Sequence, residues 1–170
     1  MHSCRGYWAI ENHSFESRTL TPWSFESVAG SSYDTTLYSS RIYASARTGS
    51  RALRFAWLNA AGTGRVGGRL QAFIPVLPNS AYQMYAYHRL EYDASVTGTC
   101  TVTWSLNGSP VQTVEVSSVS SWTEVKARFQ LGEVTSARFV VQVDCDAGIT
   151  MWVDDVMLMR DCTGECGFQK

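Results

Sequence analysis

The 170-residue chain carries little charge and no concentration of it. Asp, Glu, Lys and Arg together make up 17% of the residues, the formal net charge is −1, and no long run of one sign occurs. A protein that binds nucleic acid is expected to carry a basic excess, so the balance argues against such a partner. The surface must be rich in Ser, Thr, Gly and amide side chains, which suits an extracellular β protein.

No apolar run reaches the length of about 20 residues that crosses a membrane. Residues 1–11 also lack the basic-then-apolar pattern of a signal peptide. Helix-spaced apolar residues are scarce along the whole chain. A chain of 170 residues suits one domain and can bury roughly 70% of its unfolded surface. We therefore expect a single domain whose core does not depend on metals or disulfides.

Short segments of alternating polarity are common instead. Large apolar residues or cysteines occupy every second position in "RALRFAW" (51–57), "CTVTWSL" (100–106) and "ARFVVQVDC" (137–145). The pair Asn107-Gly108 can supply the positive φ values of a type I′ hairpin turn. Many short strands separated by Gly, Asn, Ser and Pro predict an all-β fold, an antiparallel β-sandwich.

The strand segments divide the chain into three parts. We expect residues 1–11 to be a lead-in, residues 12–159 to form the sandwich, and residues 160–170 to be a cysteine-containing tail or the start of a linker. Within the sandwich, residues 27–50 are rich in Ser, Thr and Tyr. We expect a long loop there with one strand.

The chain has five cysteines, so at least one lacks a partner within it. Cys100 and Cys145 both fall on the apolar side of their strands. A buried disulfide is expected if those strands are neighbours, and two buried free thiols are the alternative. Asn12 and Asn107 each begin an N-x-S sequon. The cysteines and sequons together indicate a secreted protein.

The stretch "ITMWVDDVMLM" (149–159) places two adjacent carboxylates inside an apolar run. Neighbouring side chains of a strand point to opposite faces. We expect Asp154 to face inward with Trp152 and Val156, and Asp155 to point outward or to cap a loop. A carboxylate on a packed face is costly unless something compensates it. Here the compensation is either a metal ion or hydrogen bonds from loop amides.

The segment 81–90 carries a polar and aromatic set opposite its core residues: Gln83, Tyr85, Tyr87 and Arg89. Two aromatic rings, an amide and a guanidinium on one outward face suit a ligand-binding surface better than a plain solvated sheet. We expect a ligand face here, and cover by the 27–50 loop is the alternative. We expect Gln142 and Asp144, on another strand, to extend the same face. We expect Trp57, at the end of its strand, to stack on a ligand at the rim of this face.

Other aromatic and titratable residues are assigned to the core. Trp104 and Trp122 sit in the apolar register, the second with a slip that suggests a bulge before Val125. The three histidines have no matched nucleophile and acid nearby in sequence, and we expect His88 at the edge of the core. We do not expect an enzyme.

Five segments, in order, resemble one family. They are "NHSFES" (12–17) with Trp23, "ASARTGSRALRF" (44–55), "NSAYQMYAYHRL" (79–90), "SSWTEVKARF" (120–129) and "MWVDDVML" (151–158). Together they resemble the carbohydrate-binding modules of the family 4/9/16/22 (CenC-like) group. The cysteines in "TCTVTWSL" and "VVQVDC" resemble versions found in secreted fungal proteins.

The resemblance implies a jelly-roll sandwich of the galactose-binding-domain-like type. It implies a structural calcium that joins the amino-terminal segment to the last strand, through Glu16, Asp154 and the backbone around Thr48–Ser50. It also implies a non-catalytic module that binds a polysaccharide or oligosaccharide, such as a cell-wall glycan, in a concave-face groove. Such a module would be a monomer or part of a larger protein. The alternative is an extracellular adhesion or host-interaction protein, which a flat apolar patch would favour.

Overall fold

The structure is a computed structural model that describes residues 14–17, 20–27, 32–39, 46–58, 66–92, 99–116, 121–146 and 149–161. For residues 27, 32–39, 55–58, 66, 92 and 149 only the backbone is described. Ten strands make up these segments: β1 (Trp23–Ser27), β2 (Ser32–Ser39), β3 (Arg51–Leu58), β4 (Val66–Pro75), β5 (Ala81–Tyr92), β6 (Cys100–Leu106), β7 (Ser109–Val116), β8 (Thr123–Gln130), β9 (Ser136–Cys145) and β10 (Ile149–Arg160).

The strands form two five-stranded antiparallel sheets. The first sheet has the order β1-β4-β9-β6-β7, and the second has the order β2-β3-β10-β5-β8. The all-β sandwich expected from the alternating pattern is confirmed. In the described part of the chain, no helix is long and apolar enough to cross a membrane.

The core lies between the two sheets and follows the alternation of the strands. From β5 it receives Tyr82, Met84, Ala86, His88 and Leu90, all fully buried. From the facing sheet it receives the large apolar residues of β4, β6 and β9, among them Leu70, Ile74, Trp104, Phe139, Val141 and Val143. Burial of side chains of this size stabilises the fold by roughly 1.5–3 kcal/mol each. Because side chains alternate between the two faces of a strand, the other side chains of these strands face outward.

The amino-terminal segment is anchored to this core by aromatic contacts. The rings of Phe15 and Trp23 lie 5.7 Å apart, and that of Trp23 lies 5.9 Å from Phe139. Phe15 is fully buried although it precedes the first strand. Its anchoring places the next residue, Glu16, at the side of the sandwich where β3 begins.

Cys100 and Cys145 lie directly opposite each other on the neighbouring strands β6 and β9. Their Cα atoms are 4.1 Å apart and their sulfur atoms are bonded. Both residues are buried. The predicted disulfide is confirmed, whereas Cys4, Cys162 and Cys166 lie outside the described residues.

A bulge in β10 changes which way its side chains point. The register with β5 shifts between Asp154 and Met157, and Asp155 has a φ of 47°. Before the bulge, Trp152 packs with Ala46 and Ala52 on the outer side of the second sheet. After the bulge, Val156 belongs to the core.

The expectation that Trp152, Asp154 and Val156 share one inward face is therefore wrong. A strict two-residue alternation cannot represent the extra residue that a bulge inserts. Asp155 also does not point into solvent, since it is only 6% exposed. It caps a loop, which was the other possibility stated for it.

A candidate ligand-binding face and its carboxylate clasp

The outward residues of β5 form the centre of one face of the second sheet. We name this surface, built around Gln83, Tyr85, Tyr87 and Arg89, the tyrosine face. These four residues alternate with the buried core residues of the same strand. The neighbouring strands β8 and β10 complete the face with Glu124, Lys126, Arg128 and Trp152, and Trp122 joins it from the position just before β8.

Cations lie over the aromatic rings of this face. Lys126 Nζ is 5.0 Å from the centre of the Tyr85 ring. The guanidinium carbon of Arg89 is 5.5 Å from the rings of both Trp122 and Trp152. Such contacts contribute about 0.5–1 kcal/mol at exposed sites and more when desolvated. They hold the rings and the guanidinium in fixed relative positions.

Tyr87 is the most constrained ring of the tyrosine face. The guanidinium carbon of Arg47 lies 3.3 Å from its centre, and its hydroxyl donates to Glu124 Oε1 over 2.7 Å. This hydrogen bond, with some burial, raises the pKa of Tyr87 above its ordinary value. The hydroxyl of Tyr85, in contrast, has no hydrogen-bond partner among the described residues. Tyr85 is thus the tyrosine whose polar group is available to a ligand.

Beside the tyrosine face, two carboxylates hold one turn from opposite ends. We name Glu16, Asp154 and the turn of residues 46–51 the clasp. Glu16 Oε1 accepts the backbone N–H groups of Ser50 and Arg51 at 2.8 and 2.9 Å, and its Oε2 accepts the Ser50 hydroxyl at 2.8 Å. Burial pushes the pKa of Glu16 upward, but these hydrogen bonds and the charge of Arg51 outweigh it and lower the pKa overall.

Asp154 holds the other end of the turn and is fully buried. Its Oδ2 accepts the N–H groups of Arg47 and Thr48 at 2.8 and 3.1 Å, and its Oδ1 accepts the N–H of Asp155 at 2.8 Å. Burial and the neighbouring charge of Asp155 raise the pKa of Asp154 to about 7, against the opposing effect of the three hydrogen bonds. Hydrogen bonds from loop amides, one of the two expected forms of compensation, are thus present.

Asp155 fixes the same turn through side chains. Its Oδ2 accepts the Arg47 guanidinium at 2.5 Å, and its Oδ1 accepts the Thr48 hydroxyl at 2.6 Å. Among the described residues, the guanidinium at this end of the clasp, that of Arg47, is therefore bonded to Asp155 and not to Asp154.

The predicted site residues do not all share a face. Gln83, Tyr85, Tyr87 and Arg89 are together, as expected. Gln142 and Asp144 belong to β9 of the first sheet, where they alternate with core residues. The expectation that they extend the same face is wrong, because the period of two gives the side of a strand but not the sheet to which the strand belongs. In the structure Gln142 Oε1 accepts a hydrogen bond from Arg69 Nε at 3.0 Å.

Trp57 and the long loop can be placed only in part. The backbone of Trp57 lies in β3, opposite Ile149, and its side chain is outside the described part. Of residues 27–50, the turn that begins at Ala46 brings Arg47 over Tyr87. The alternative, in which this stretch covers a tyrosine of the face, is therefore correct for Tyr87.

Two tryptophans of the tyrosine face, Trp122 and Trp152, are expected from the sequence to point into the core, and that expectation is wrong. Trp104 is a core residue as expected, but Trp122 is half-buried and packs with Trp152 on the outer side. The expected slip before Val125 is absent, since β8 pairs with β5 without a register shift from Thr123 to Gln130. An uninterrupted period of two from Trp122 through Glu124 and Lys126 would have placed the tryptophan outside.

Comparison with known proteins gives a likeness in fold. No protein-family model matches the chain, and no curated protein matches it. Among solved structures, TmCBM61 in complex with β-1,4-galactotriose is similar, with 20% identity, a TM-score of 0.67, and coverage of 91% of this chain and 99% of that one. The Family 16 Carbohydrate Binding Module-2 has 15% identity, a TM-score of 0.53, and coverage of 88% and 98%.

The CBM22-1 xylan-binding domain from Paenibacillus barcinonensis Xyn10C is also similar. Its identity is 15%, its TM-score is 0.52, and the match covers 91% of this chain and 95% of that domain. At these identities the likeness establishes the fold. The chain has the β-sandwich fold of carbohydrate-binding modules, as the ordered sequence motifs indicate.

Proposed function

We propose that the protein is a non-catalytic carbohydrate-binding module that binds a polysaccharide or oligosaccharide on the tyrosine face. The observation that carries the proposal is the row of Gln83, Tyr85, Tyr87 and Arg89, flanked by Trp122 and Trp152, on the outer side of the sandwich. The fold adds support, because similar structures include a complex with β-1,4-galactotriose and a xylan-binding domain.

The tyrosine face offers both kinds of contact that a sugar needs. Aromatic rings present flat apolar surface to the C–H faces of a pyranose, while amide and guanidinium groups bond to its hydroxyls. Tyr85 combines a ring with an available hydroxyl, and Gln83 lies two residues away on the same side. The cation contacts hold these groups in place before binding, which reduces the entropy lost on association.

The acids of the tyrosine face act as partners of its binding groups. Glu124 accepts the hydroxyl of Tyr87, and Glu91 pairs with Arg89 at 2.5 Å. Each carboxylate thereby orients a neighbouring side chain, which suits binding without cleavage. An adhesion protein would instead use a flat apolar patch, whereas polar and charged groups separate the rings of this face.

We also propose that the clasp binds a structural calcium ion. Glu16 Oε2 and Asp154 Oδ1 each accept a single hydrogen bond, which leaves a lone pair on each oxygen. The guanidinium of Arg47 pairs with Asp155, so within the described part of the chain Asp154 has no guanidinium of its own. The described residues contain no group of three or more His, Cys, Asp or Glu that could hold a metal. The remaining ligands would be carbonyl or hydroxyl oxygens of the turn, which calcium accepts.

We further propose that the protein is secreted. The Cys100–Cys145 disulfide supports it, because such bonds persist mainly in oxidising compartments.

Isothermal titration tests the sugar-binding function directly. The folded protein is titrated with β-glucan, xylan, mannan, galactan and chitin oligosaccharides, and the mixtures are then analysed for cleavage products. We expect binding to at least one glycan with no products. A folded protein that binds none of them would refute the proposal, and release of shortened sugars would refute its non-catalytic part.

A further inference from the structure

A cavity of 450 Å³ opens along one side of the sandwich, at an edge of the two sheets. It lies between β7 and β8, which are the outermost strands of the first and second sheets. We name it the edge groove and define it by Asn107, Pro110, Val111, Phe129, Gln130 and Leu131. Its volume lies within the range of about 300–1,000 Å³ that is usual for small-molecule sites.

The edge groove has an apolar floor with a fixed aromatic ring. Leu131 is 6% exposed, and Val111 and Phe129 are half-buried. The ring of Phe129 stacks on that of Tyr82, with 6.3 Å between centres and 17° between planes. The Tyr82 hydroxyl in turn accepts the backbone N–H of Leu77 at 2.8 Å. Phe129 is therefore held in one orientation by a fully buried neighbour.

The rim of the edge groove is polar and exposed. Asn107, Ser109 and Gln130 all line it and are exposed. Asn107 Oδ1 accepts the backbone N–H of Arg138 at 2.7 Å, and its own backbone N–H donates to the Arg138 carbonyl at 2.8 Å. Because the carbonyl end of the amide is engaged, its NH₂ group is the end that a ligand can use.

The edges of the two strands disfavour an extended peptide as the occupant. A peptide that adds to a sheet needs backbone N–H groups along the free edge. Pro110 has none at the place where β7 lines the groove. The pairing of β6 with β7 also shifts register between Trp104 and Ser105, beside this position. A ring with apolar faces and hydroxyl edges fits a floor and rim of this kind better than a strand does.

We propose that the edge groove is a second carbohydrate site, which takes a pyranose unit of a glycan on Phe129 with its hydroxyls on Asn107, Ser109 and Gln130. The site rests on the proposed function for its ligand class but uses none of Gln83, Tyr85, Tyr87 and Arg89, and only Arg128 borders both surfaces. A glycan chain could then contact the module at two separate places.

Amide shifts in ¹H–¹⁵N spectra of the full chain locate the sugar directly. The protein is titrated with β-1,4-galactotriose, xylohexaose, cellohexaose, mannohexaose and chitohexaose. We expect at least one of them to shift the amides of Val111, Phe129 and Gly132. The variant Ser109→Trp should abolish these shifts by filling the groove from its rim, while Thr113→Trp on the exposed side of the same strand should leave them unchanged.

A second variant protects the test from misfolding. Should Ser109→Trp fail to fold, Gln130→Ala removes an exposed rim group and is expected to weaken groove binding at least fivefold. Unshifted groove amides with all five sugars would overturn the proposal, and shifts confined to the tyrosine face would do so while leaving the proposed function intact. Groove shifts with a Val-Thr-Val-Thr-Val-Thr peptide but with no sugar would also overturn it.

Discussion

Tyr87 and Asp154 lie opposite each other on β5 and β10, and Arg47 contacts both. The backbone N–H of Arg47 donates to Asp154 Oδ2 over 2.8 Å, while its guanidinium carbon lies 3.3 Å from the Tyr87 ring centre. The clasp is therefore continuous with the tyrosine face. Any change that loosens the turn of residues 46–51 also alters what covers Tyr87.

Gly49 shows how closely the clasp is fitted. Its φ is 63°, and an added Cβ would lie 2.3 Å from Glu16 Oε1. We expect Gly49→Ala to lower the free energy of unfolding by about 1–3 kcal/mol, because it combines backbone strain with a displaced carboxylate. Gly132→Ala is the control, since nothing other than its own chain neighbours lies within 4 Å of its added Cβ. Urea denaturation of both variants measures the difference, and equal effects would contradict this account of the turn.

Asp154 tests the other end of the clasp. In Asp154→Ala, the N–H groups of Arg47, Thr48 and Asp155 lose their acceptor, and the buried N–H of Asp155 alone costs about 1–3 kcal/mol when it has no partner. Asp154→Asn keeps one acceptor oxygen and should be less destabilised. Chemical denaturation that ranks the two variants in the reverse order would contradict the hydrogen-bonded geometry.

Chelation separates a calcium-bound clasp from one held by hydrogen bonds alone. We expect EDTA to lower the Tm of the wild-type protein, because an ion that binds only the folded state stabilises it, and chelation removes that stabilisation. We expect no EDTA effect on the Asp154→Ala variant, which lacks a proposed ligand. Differential scanning calorimetry with and without added calcium provides the comparison. An unchanged wild-type Tm would contradict the calcium site and would mean that hydrogen bonds alone hold the clasp.

Much of this architecture is readable in the sequence, and the failures have a common origin. The alternation in "CTVTWSL" and "ARFVVQVDC" correctly placed Cys100 and Cys145 on one side, where a disulfide joins them. The same alternation put Gln142 with Tyr85, although their strands lie in different sheets. Periodicity within a strand is local, whereas sheet membership depends on which strands pair across the whole chain.

The bulge in β10 and the clasp depend on such long-range pairing too. Nothing in the apolar run 149–159 marks Asp155 as the residue with positive φ. Its conformation is supported by Arg47 and Thr48, more than 100 residues earlier in the chain. The carboxylates themselves were identified from sequence, because a charge in an apolar segment needs a partner. The turn around Thr48–Ser50 that both carboxylates hold is indicated by the family resemblance and not by the residues alone, since a turn rich in Ser, Thr and Gly has no distinctive pattern.

His88 makes the stability of the protein depend on pH. It is fully buried, its ring centre lies 5.9 Å from that of Trp104, and neither ring nitrogen has a hydrogen-bond partner among the described residues. Burial lowers its pKa from 6.5 to about 4. The unfolded chain therefore binds a proton at this residue between pH 6.5 and pH 4, where the folded protein does not.

Above pH 6.5 His88 is neutral in both the folded and the unfolded chain, and the free energy of unfolding is at its full value. It decreases as the pH falls from 6.5 towards 4, because only the unfolded chain takes up the proton. The loss amounts to about 3 kcal/mol at pH 4, from 1.36 kcal/mol per pKa unit. We expect His88→Leu to reduce this loss, because leucine has no proton to bind. Urea titrations of both proteins at several pH values between 4 and 7 give the two slopes. Parallel pH dependence in the two proteins would show that His88 does not titrate as its burial implies.

Tyr85 distinguishes a ligand face from an ordinary sheet surface. Its ring lies beneath Lys126 and its hydroxyl is available, so Tyr85→Ala removes both stacking surface and a hydrogen-bonding group. We expect a loss of glycan affinity of about tenfold or more, which corresponds to about 1.4 kcal/mol. Tyr85→Phe keeps the ring and should lose less. Thr103→Ala, on the outer side of the first sheet, is the control and should bind as the wild type does. Isothermal titration gives the affinities and circular dichroism confirms folding. If all three variants bind equally well, the ligand does not bind on the tyrosine face.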